Sequence, residues 1–468
     1  MELVLLIDFG STYTKVIAID LDENKVVSWA QASSTVSEDI MIGLGRALSK
    51  LRVDGKPIQD LKIEKKIACS SAAGGLQLVS IGLVPSLTVE AATRAALGAG
   101  AKVVGTYSYE LIREDIARIE EHPCDMILLA GGTDGGDQET ILHNANMLAK
   151  IERNVPIVVA GNRVVADKVR NILNLTGKGV IITENVLPTL DNINVEPSRS
   201  AIRKIFMNRI IHVKGIDKAK QYVSDIVMPT PMAVLQGAQL LAEGTKEEAG
   251  LGDLVVVDVG GATTDVCSIA TGYPTQASTL VKGLPEPYAK RTVEGDLGIR
   301  YNAKTILEIA GEKAILEALS SNIGNVDLER ITRYLSHDIG FVPENEKGLL
   351  IDTALAYTAA GLAMERHVGF IQQVYLPTGP VEVQYGKDLT NLETVIGTGG
   401  VFMHNRYSQR ILEATLFNKQ NPFLLKPKAP RLYIDGNYIL FAVGLLAGIA
   451  PTSALRIAKK SLRQIQIN

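Results

Sequence analysis

The sequence predicts an α/β protein with two similar β-rich lobes and an inserted block of parallel sheet, and three observations lead there. Two strand–turn–strand units, Ile7-Asp8-Phe9-Gly10-Ser11-Thr12-Tyr13-Thr14-Lys15 and Val257-Asp258-Val259-Gly260-Gly261-Ala262-Thr263-Thr264-Asp265, share one template: an apolar strand ends in Asp and runs into a turn of glycine and hydroxyl residues. A third glycine turn, Gly397-Thr398-Gly399-Gly400, follows another apolar run. Between the first two, from 87 to 185, helical and strand periods alternate, the pattern of a parallel sheet with helices on both faces.

The elements follow in order. Residues 1–86 form the first lobe: β-runs at 3–8, 15–20 and 25–32, a helix over 38–51, a strand at 65–70 and the turn Ser71-Ala72-Ala73-Gly74-Gly75. The block 87–185 reads as its own subdomain, with helices at 89–97, 108–121, 138–151 and 163–173, each preceding a strand, at 102–105, 125–130, 156–160 and 180–183. Residues 186–249 read as helical, with an amphipathic stretch at 232–243. The second lobe spans 250–430: the strands flanking the second tip, helices over 300–370, a hairpin near 372–386 and a strand at 393–396 entering the third glycine turn. Two helices over 431–468 close the chain.

Composition bounds the function. The chain has 468 residues with 48 Lys+Arg against 51 Asp+Glu, a net charge of −3, so it lacks the basic excess that phosphate neutralisation on nucleic acid requires. Its three cysteines, Cys69, Cys124 and Cys267, are far apart, offering no disulfide framework and no CxxC motif, as expected of a cytoplasmic protein. The first residues, MELVLLIDFG, read as a strand rather than a signal peptide, since Asp8 interrupts the apolar run. The longest later apolar run, 438–450, falls short of the ~20 residues of a membrane-spanning helix. Aromatics are 5% of residues while glycines number 42, many of them at the ends of apolar runs.

The two tips have a chemical reading. Glycine lets backbone N–H groups converge on an anion, and hydroxyls add donors, so Gly10, Ser11, Thr12 and Tyr13 on one tip and Gly260, Gly261, Ala262, Thr263 and Thr264 on the other suit a polyphosphate. Asp8 and Asp258, at strand ends, suit a hydrated cation or a water poised for attack. Lys15 either reaches a phosphate or is a solvated strand residue. Asp265 either serves the attacking water or pairs with a hydroxyl across the turn. Gly397, Thr398, Gly399 and Gly400 would let a purine and its ribose lie against bare backbone. Arg366 and Glu365 precede the hairpin that leads to this turn, where an arginine could stack on a base or lie at the surface. No GxxxxGK[ST] occurs, which excludes a P-loop enzyme. The six histidines show no metal-ligand spacing.

The ordered set resembles the phosphate-1, phosphate-2 and adenosine motifs of the actin, hexokinase and heat-shock chaperone ATPase superfamily. Pro231-Met232-Ala233-Val234-Leu235-Gln236-Gly237-Ala238 and Ala442-Val443-Gly444-Leu445-Leu446-Ala447 are similar to its two connecting helices, and Glu294-Gly295-Asp296-Leu297-Gly298 to its Gly-Asp turn. The resemblance implies a two-lobed actin-like ATPase of ribonuclease H-like repeats, ATP/ADP and Mg2+ as ligands, Asp8 and Asp258 toward the metal, and Asp258, Thr263 and Asp265 as catalytic residues. In order along the chain, IDFGSTYTK, SSAAGGL, LAGGTDGG, DVGGATTDV, VEGDLGIR, ERHVG, GKDLT and VIGTGGVF resemble the accessory-protein family called MutL that accompanies adenosylcobalamin-dependent glutamate (methylaspartate) mutase and related mutases. That implies an ATP-dependent chaperone, slow in turnover, which reactivates a mutase by promoting exchange of damaged cobalamin.

The inserted block resembles a flavodoxin-like cobalamin-binding subunit, notably in VVAGNRVVADK, but lacks the DxHxxG motif whose histidine ligates cobalt. His122 and His143 stand in other contexts. The expectation is a mimic that docks on the mutase through 87–185 without holding cobalt. Three other readings share the superfamily: a small-molecule kinase, an actin-like scaffold, and an activator of hydroxyacyl-CoA dehydratases, the last opposed by the absence of paired cysteines for a [4Fe–4S] cluster.

Overall fold

A computed structural model describes residues 2–10, 13–35, 38–71, 76–122, 124–210, 216–319, 326–377, 379–403 and 405–465. The chain divides into two compact units, Met1–Ala233 with Gly283–Pro285, and Val234–Lys282 with Glu286–Asn468.

In the first unit β1 (Leu3–Phe9), β2 (Tyr13–Asp20) and β3 (Lys25–Ser33) form an antiparallel meander. The helix Ile40–Lys50 packs on it, started by Asp39, whose carboxylate caps the Met41 N–H at 2.8 Å. A two-residue hairpin, β4 (Arg52–Val53) with β5 (Lys56–Pro57), leads to β6 (Lys65–Ser70), which lies parallel to β1. β1 and the C-terminal half of β2 are apolar and buried, as the central position demands.

The insertion follows. Its strands β7 (Gln77–Gly82), β8 (Lys102–Ser108), β9 (Met126–Leu129), β10 (Ile157–Val159) and β11 (Val180–Ile182) form a wholly parallel sheet in the order β8-β7-β9-β10-β11. Counted within the insertion this is 2-1-3-4-5, the flavodoxin-like order. The sheet starts earlier than residue 87: β7 lies at its interior, and the helix Glu90–Gly98 is the crossover that joins it to β8. After the insertion, β12 (Asp225–Pro229) returns to pair in parallel with β6, so the stretch 186–249 is not purely helical. Only tertiary pairing identifies this five-residue strand.

In the second unit β13 (Leu254–Val259), β14 (Thr264–Ile269) and, beyond β15 (Leu280–Lys282), β16 (Ala289–Glu294) repeat the antiparallel meander. β15 joins the hairpin β17 (Phe370–Leu376) and β18 (Gly379–Tyr385) in a small side sheet. β19 (Thr394–Thr398) and β20 (Arg431–Asp435) lie parallel to β13, and β21 (Leu462–Ile465) adds an antiparallel edge. The close of the chain is therefore two strands around two helices, Leu440–Ala447 and Pro451–Ser461. β21 is short and half polar, LRQI, which hides it from periodicity.

The two principal sheets share one connectivity: three antiparallel strands, then two parallel ones on the far side of the first strand. This duplicated ribonuclease H-like sheet is the actin-like ATPase fold. The helix Glu346–His367 is apolar around most of its circumference and buries Ala354, Ala356, Ala359, Ala360 and Ala363. Small side chains allow close approach to the second sheet, which fits a composition poor in aromatics. No helix among the described residues is long and apolar enough to cross a membrane.

The ERHVG and GKDLT motifs build a polar knot behind the second sheet. His367 is fully buried, with Nδ1 bonded to the Thr292 hydroxyl and Nε2 to the Ser268 hydroxyl, each at 2.8 Å. The Lys387 ammonium, also buried, donates to the Tyr288 carbonyl (2.8 Å) and to Ser268 Oγ (3.2 Å). Burial, with the charges of Lys290 and Lys387 nearby, holds His367 well below the usual imidazole value of 6.5. Because the folded value is depressed, the stabilisation is complete above pH 6.5 and is lost as pH falls below it. Denaturant midpoints should be flat above that pH and decline below it by up to about 1.4 kcal/mol per pH unit from this group. His367→Gln should remove that increment from the slope.

Candidate functional site

In the first unit the tip is closed by the Gly10 N–H donating to the Tyr13 carbonyl at 3.1 Å. Ser11 and Thr12 lie outside the described residues, as does most of the turn 71–75. Asp8 is buried at the end of β1. Its Oδ1 accepts the Thr230 hydroxyl at 2.6 Å, and Lys15, its cross-strand neighbour, brings Nζ to 3.7 Å from Oδ2. Lys15 is thus directed at the tip carboxylate, on the face of β2 that Asp8 occupies on β1. Burial raises the Asp8 pKa, opposed by the Lys15 charge and by the hydroxyl of Thr230 and the thiol of Cys69. A buried carboxylate held by one ammonium, one hydroxyl and one thiol is a group for which a divalent cation is a favourable further partner.

The second tip is closed in the same way, with the Gly260 N–H donating to the Thr263 carbonyl at 2.9 Å. The VEGDLGIR segment lies behind it. The Gly260 carbonyl accepts from the Ile299 N–H, the Gly261 carbonyl from the N–H groups of Arg300 and Tyr301, and the Ala262 carbonyl from the Asn302 amide, at distances of 2.9–3.1 Å. A trans peptide points its N–H opposite to its carbonyl. The N–H groups of Gly261, Ala262 and Thr263 are therefore directed away from this segment as a set, the arrangement that receives an anion.

Asp258, half-buried at the end of β13, has Oδ2 bonded by the Tyr438 hydroxyl at 3.3 Å. Thr398 is its neighbour in register on β19. Gly399, at φ +108°, follows, and a Cβ there would stand 2.8 Å from Asp258 Oδ1 and 2.7 Å from the Val259 carbonyl, so the adenosine-type turn meets the second tip only because this residue is glycine. Gly397 is buried beside Thr398, and Gly400 is exposed at the start of one helical turn, Gly400–Met403. Thr398 directs its hydroxyl to Asp435 (3.1 Å), and Thr264 directs its own to the Leu297 carbonyl (2.7 Å), so both side chains serve the scaffold behind the turns.

Asp265 is held on both oxygens. Its Oδ2 accepts the Thr263 hydroxyl at 2.9 Å, and its Oδ1 accepts Nε and Nη2 of the buried Arg291 at 3.0 and 2.5 Å. The cross-turn hydroxyl pair read from the sequence for Asp265 is present. Arg366 is gripped by Asp296 (2.8 and 3.0 Å) and Glu294 (2.7 Å), an ion-pair cluster that holds the Gly-Asp turn. Tyr438 and Thr230 were not singled out from sequence. Thr230 opens the helix Thr230–Glu243 and Tyr438 stands two residues before the helix Leu440–Ala447, and the likeness of these helices to connecting helices is the one signal that could have drawn attention to them.

In the insertion, the loops after β9, β10 and β11 are pinned to one another. Asn162 bonds the Gly135 N–H and the carbonyls of Gly136 and Asp137 (3.0–3.2 Å), and Asn185 bonds the Gly132 carbonyl and Asp134 (2.9–3.0 Å). The LAGGTDGG and VVAGNRVVADK motifs thus close the crest of the parallel sheet with internal hydrogen bonds. His122 bonds the Arg118 carbonyl and His143 the Leu111 carbonyl. No cluster of three or more His, Cys, Asp or Glu suited to a metal ion occurs among the described residues.

Structural similarity is broad and distant. The chain resembles glycerol dehydratase reactivase at 12% identity over 95% of this chain and 99% of that one (TM-score 0.33). It also resembles the activator of 2-hydroxyisocaproyl-CoA dehydratase from Clostridium difficile with bound ADPNP, at 12% identity over 99% of this chain and all of that one (TM-score 0.30). Gluconate kinase from Lactobacillus acidophilus is similar at 10% identity over 99% of this chain and 93% of that one (TM-score 0.35). Protein MutL of Clostridium tetanomorphum is 49% identical over 467 residues, 99% of this chain and 100% of that protein. With the MutL protein family model matching residues 4–462 as well, the chain belongs to the MutL protein family.

Proposed function

We propose that this chain is an Mg2+-dependent, ATP-hydrolysing chaperone that reactivates an adenosylcobalamin-dependent mutase of the glutamate (methylaspartate) or ornithine type. The observation that carries the nucleotide part is the repetition of one device at equivalent places in two sheets: an aspartate at the end of the first strand, then a turn closed by a glycine N–H. Membership of the MutL family supports the mutase as partner.

The residues present fit nucleotide and metal. Backbone N–H groups of Gly261, Ala262 and Thr263 receive phosphate oxygens, and Gly10 to Tyr13 supply the equivalent tip. Asp8 on the first tip and Asp258 on the second are the carboxylates that would hold the metal, which when bound would neutralise phosphate charge. Asp258 orients the attacking water, with Thr263 held toward the turn by Asp265. Gly397 to Gly400 leave bare backbone for the adenosine. The insertion, residues 87–185 extended back to β7, docks on the mutase in place of its cobalamin-binding subunit. The lack of a DxHxxG motif in the insertion supports docking without cobalt ligation.

The test is to mix the protein with a mutase inactivated by cyanocobalamin, add Mg2+-ATP and measure free cobalamin. Release dependent on ATP is expected. No release from any mutase of this class, with ATP still hydrolysed, would return the protein to the small-molecule kinase or scaffold readings.

A further inference from the structure

The two tip carboxylates share a second feature. Asp8 Oδ1 accepts the hydroxyl of Thr230, the first residue of the helix Thr230–Glu243. Asp258 Oδ2 accepts the hydroxyl of Tyr438, two residues before the helix Leu440–Ala447. Tyr438 adopts φ +52°, a left-handed conformation that is costly for a bulky side chain and persists only where its surroundings hold it. The second helix is tied to the site again by Asp435, whose Oδ2 accepts both the Leu440 N–H and the Thr398 hydroxyl at 3.1 Å. The two helices meet closely: a Cβ on Gly237 would collide with the Leu440 carbonyl and stand 3.2 Å from the Gly444 nitrogen. The first helix begins in one compact unit and ends in the other.

We infer that Thr230 and Tyr438 are positioning residues that couple cation occupancy of the two tip aspartates to the two connecting helices. The inference rests on the nucleotide-binding reading above. A carboxylate oxygen that accepts a hydroxyl proton is a weaker ligand for a cation, so cation and hydroxyl compete for it. A cation at Asp8 releases Thr230, a cation at Asp258 releases Tyr438, and each release loosens the start of the helix that follows. Two sites coupled in this way must respond reciprocally.

The experiment measures ADP affinity by calorimetry with Mg2+ and with EDTA, and backbone hydrogen exchange across 230–243 and 440–447 in the same states. In the wild type, Mg2+-ADP should change exchange at the first turn of both helices. Thr230→Val and Tyr438→Phe should each raise the gain in affinity that Mg2+ confers by about 10- to 100-fold, since a hydrogen bond to a charged group is lost only from the cation-free state. They should also abolish the exchange response in their own helix, while Thr230→Ser retains both wild-type behaviours. Unchanged Mg2+ dependence in both variants, or loss of stability without a change in that dependence, overturns the coupling and leaves nucleotide binding standing. A wild type that binds no ADP overturns both.

Discussion

Asp258→Asn is expected to lower ATP turnover by about 10²- to 10³-fold, within the range contributed by a positioned acid–base group, while the nucleotide-free protein stays folded. Asparagine has nearly the same shape, and its carbonyl oxygen can still accept the Tyr438 hydroxyl, so the end of β13 and its contact with Gly399 survive. What disappears is the negative charge beside the converging N–H groups of the second tip. Nucleotide affinity without Mg2+ should therefore hold or tighten, because an anion has been removed from beside the phosphates, and the loss should fall on kcat. Phosphate release at saturating ATP reads this directly. Turnover within threefold of wild type would remove Asp258 from the mechanism.

Arg300→Met should cost about 3–5 kcal/mol of stability, the penalty for leaving one partner of a buried ion pair alone. The guanidinium meets Asp352 through two parallel bonds, Nη1 to Oδ1 at 3.0 Å and Nη2 to Oδ2 at 2.5 Å, and also donates to the Ile299 and Phe341 carbonyls. Burial raises the Asp352 pKa even with Arg300 in place. Without the arginine the carboxyl takes up a proton more readily, so the variant's deficit should shrink as pH falls through the acid range. The double variant Arg300→Met with Asp352→Leu should recover most of the loss, since an apolar pair of similar volume avoids desolvating charge. The Arg300 backbone N–H that donates to the Gly261 carbonyl is kept by methionine, so the second tip should retain its shape and ADP affinity should hold in the single variant. Denaturant unfolding of the single and double variants measures the first effect. Equal destabilisation in both would show that packing, not the unpaired charge, sets the cost.

Much of the site was legible because its residues are local. Asp8 and Gly10 stand two apart on one strand and its turn, Asp258 and Gly260 likewise, and GTGG is contiguous, so short-range spacing carries them. Tyr438 lies 180 residues from Asp258 and Thr230 lies 222 from Asp8, and no spacing rule links such pairs. The same division holds for the fold. Long, strongly apolar strands such as β1 and β13 are readable from alternation and burial alone. β7, β12 and β21 are short, and each takes its identity from a neighbour in space: β12 from β6, β21 from β20, β7 from β8 and β9.

By itself the sequence determined the α/β class, the two glycine-and-aspartate tips, the adenosine-type turn, the alternating block and the resemblance to the MutL family. These depend on backbone conformation and on residue types within a few positions of each other, which local chemistry dictates. Tertiary structure alone decided that the block is a 2-1-3-4-5 parallel sheet beginning at β7, that Asp265 is held by Thr263 and Arg291, and that the tip aspartates are bonded to Thr230 and Tyr438, at or just before the start of a helix. The physical reason is range: strand order, buried ion pairing and long-distance hydrogen bonds form only once hydrophobic burial has brought remote segments together.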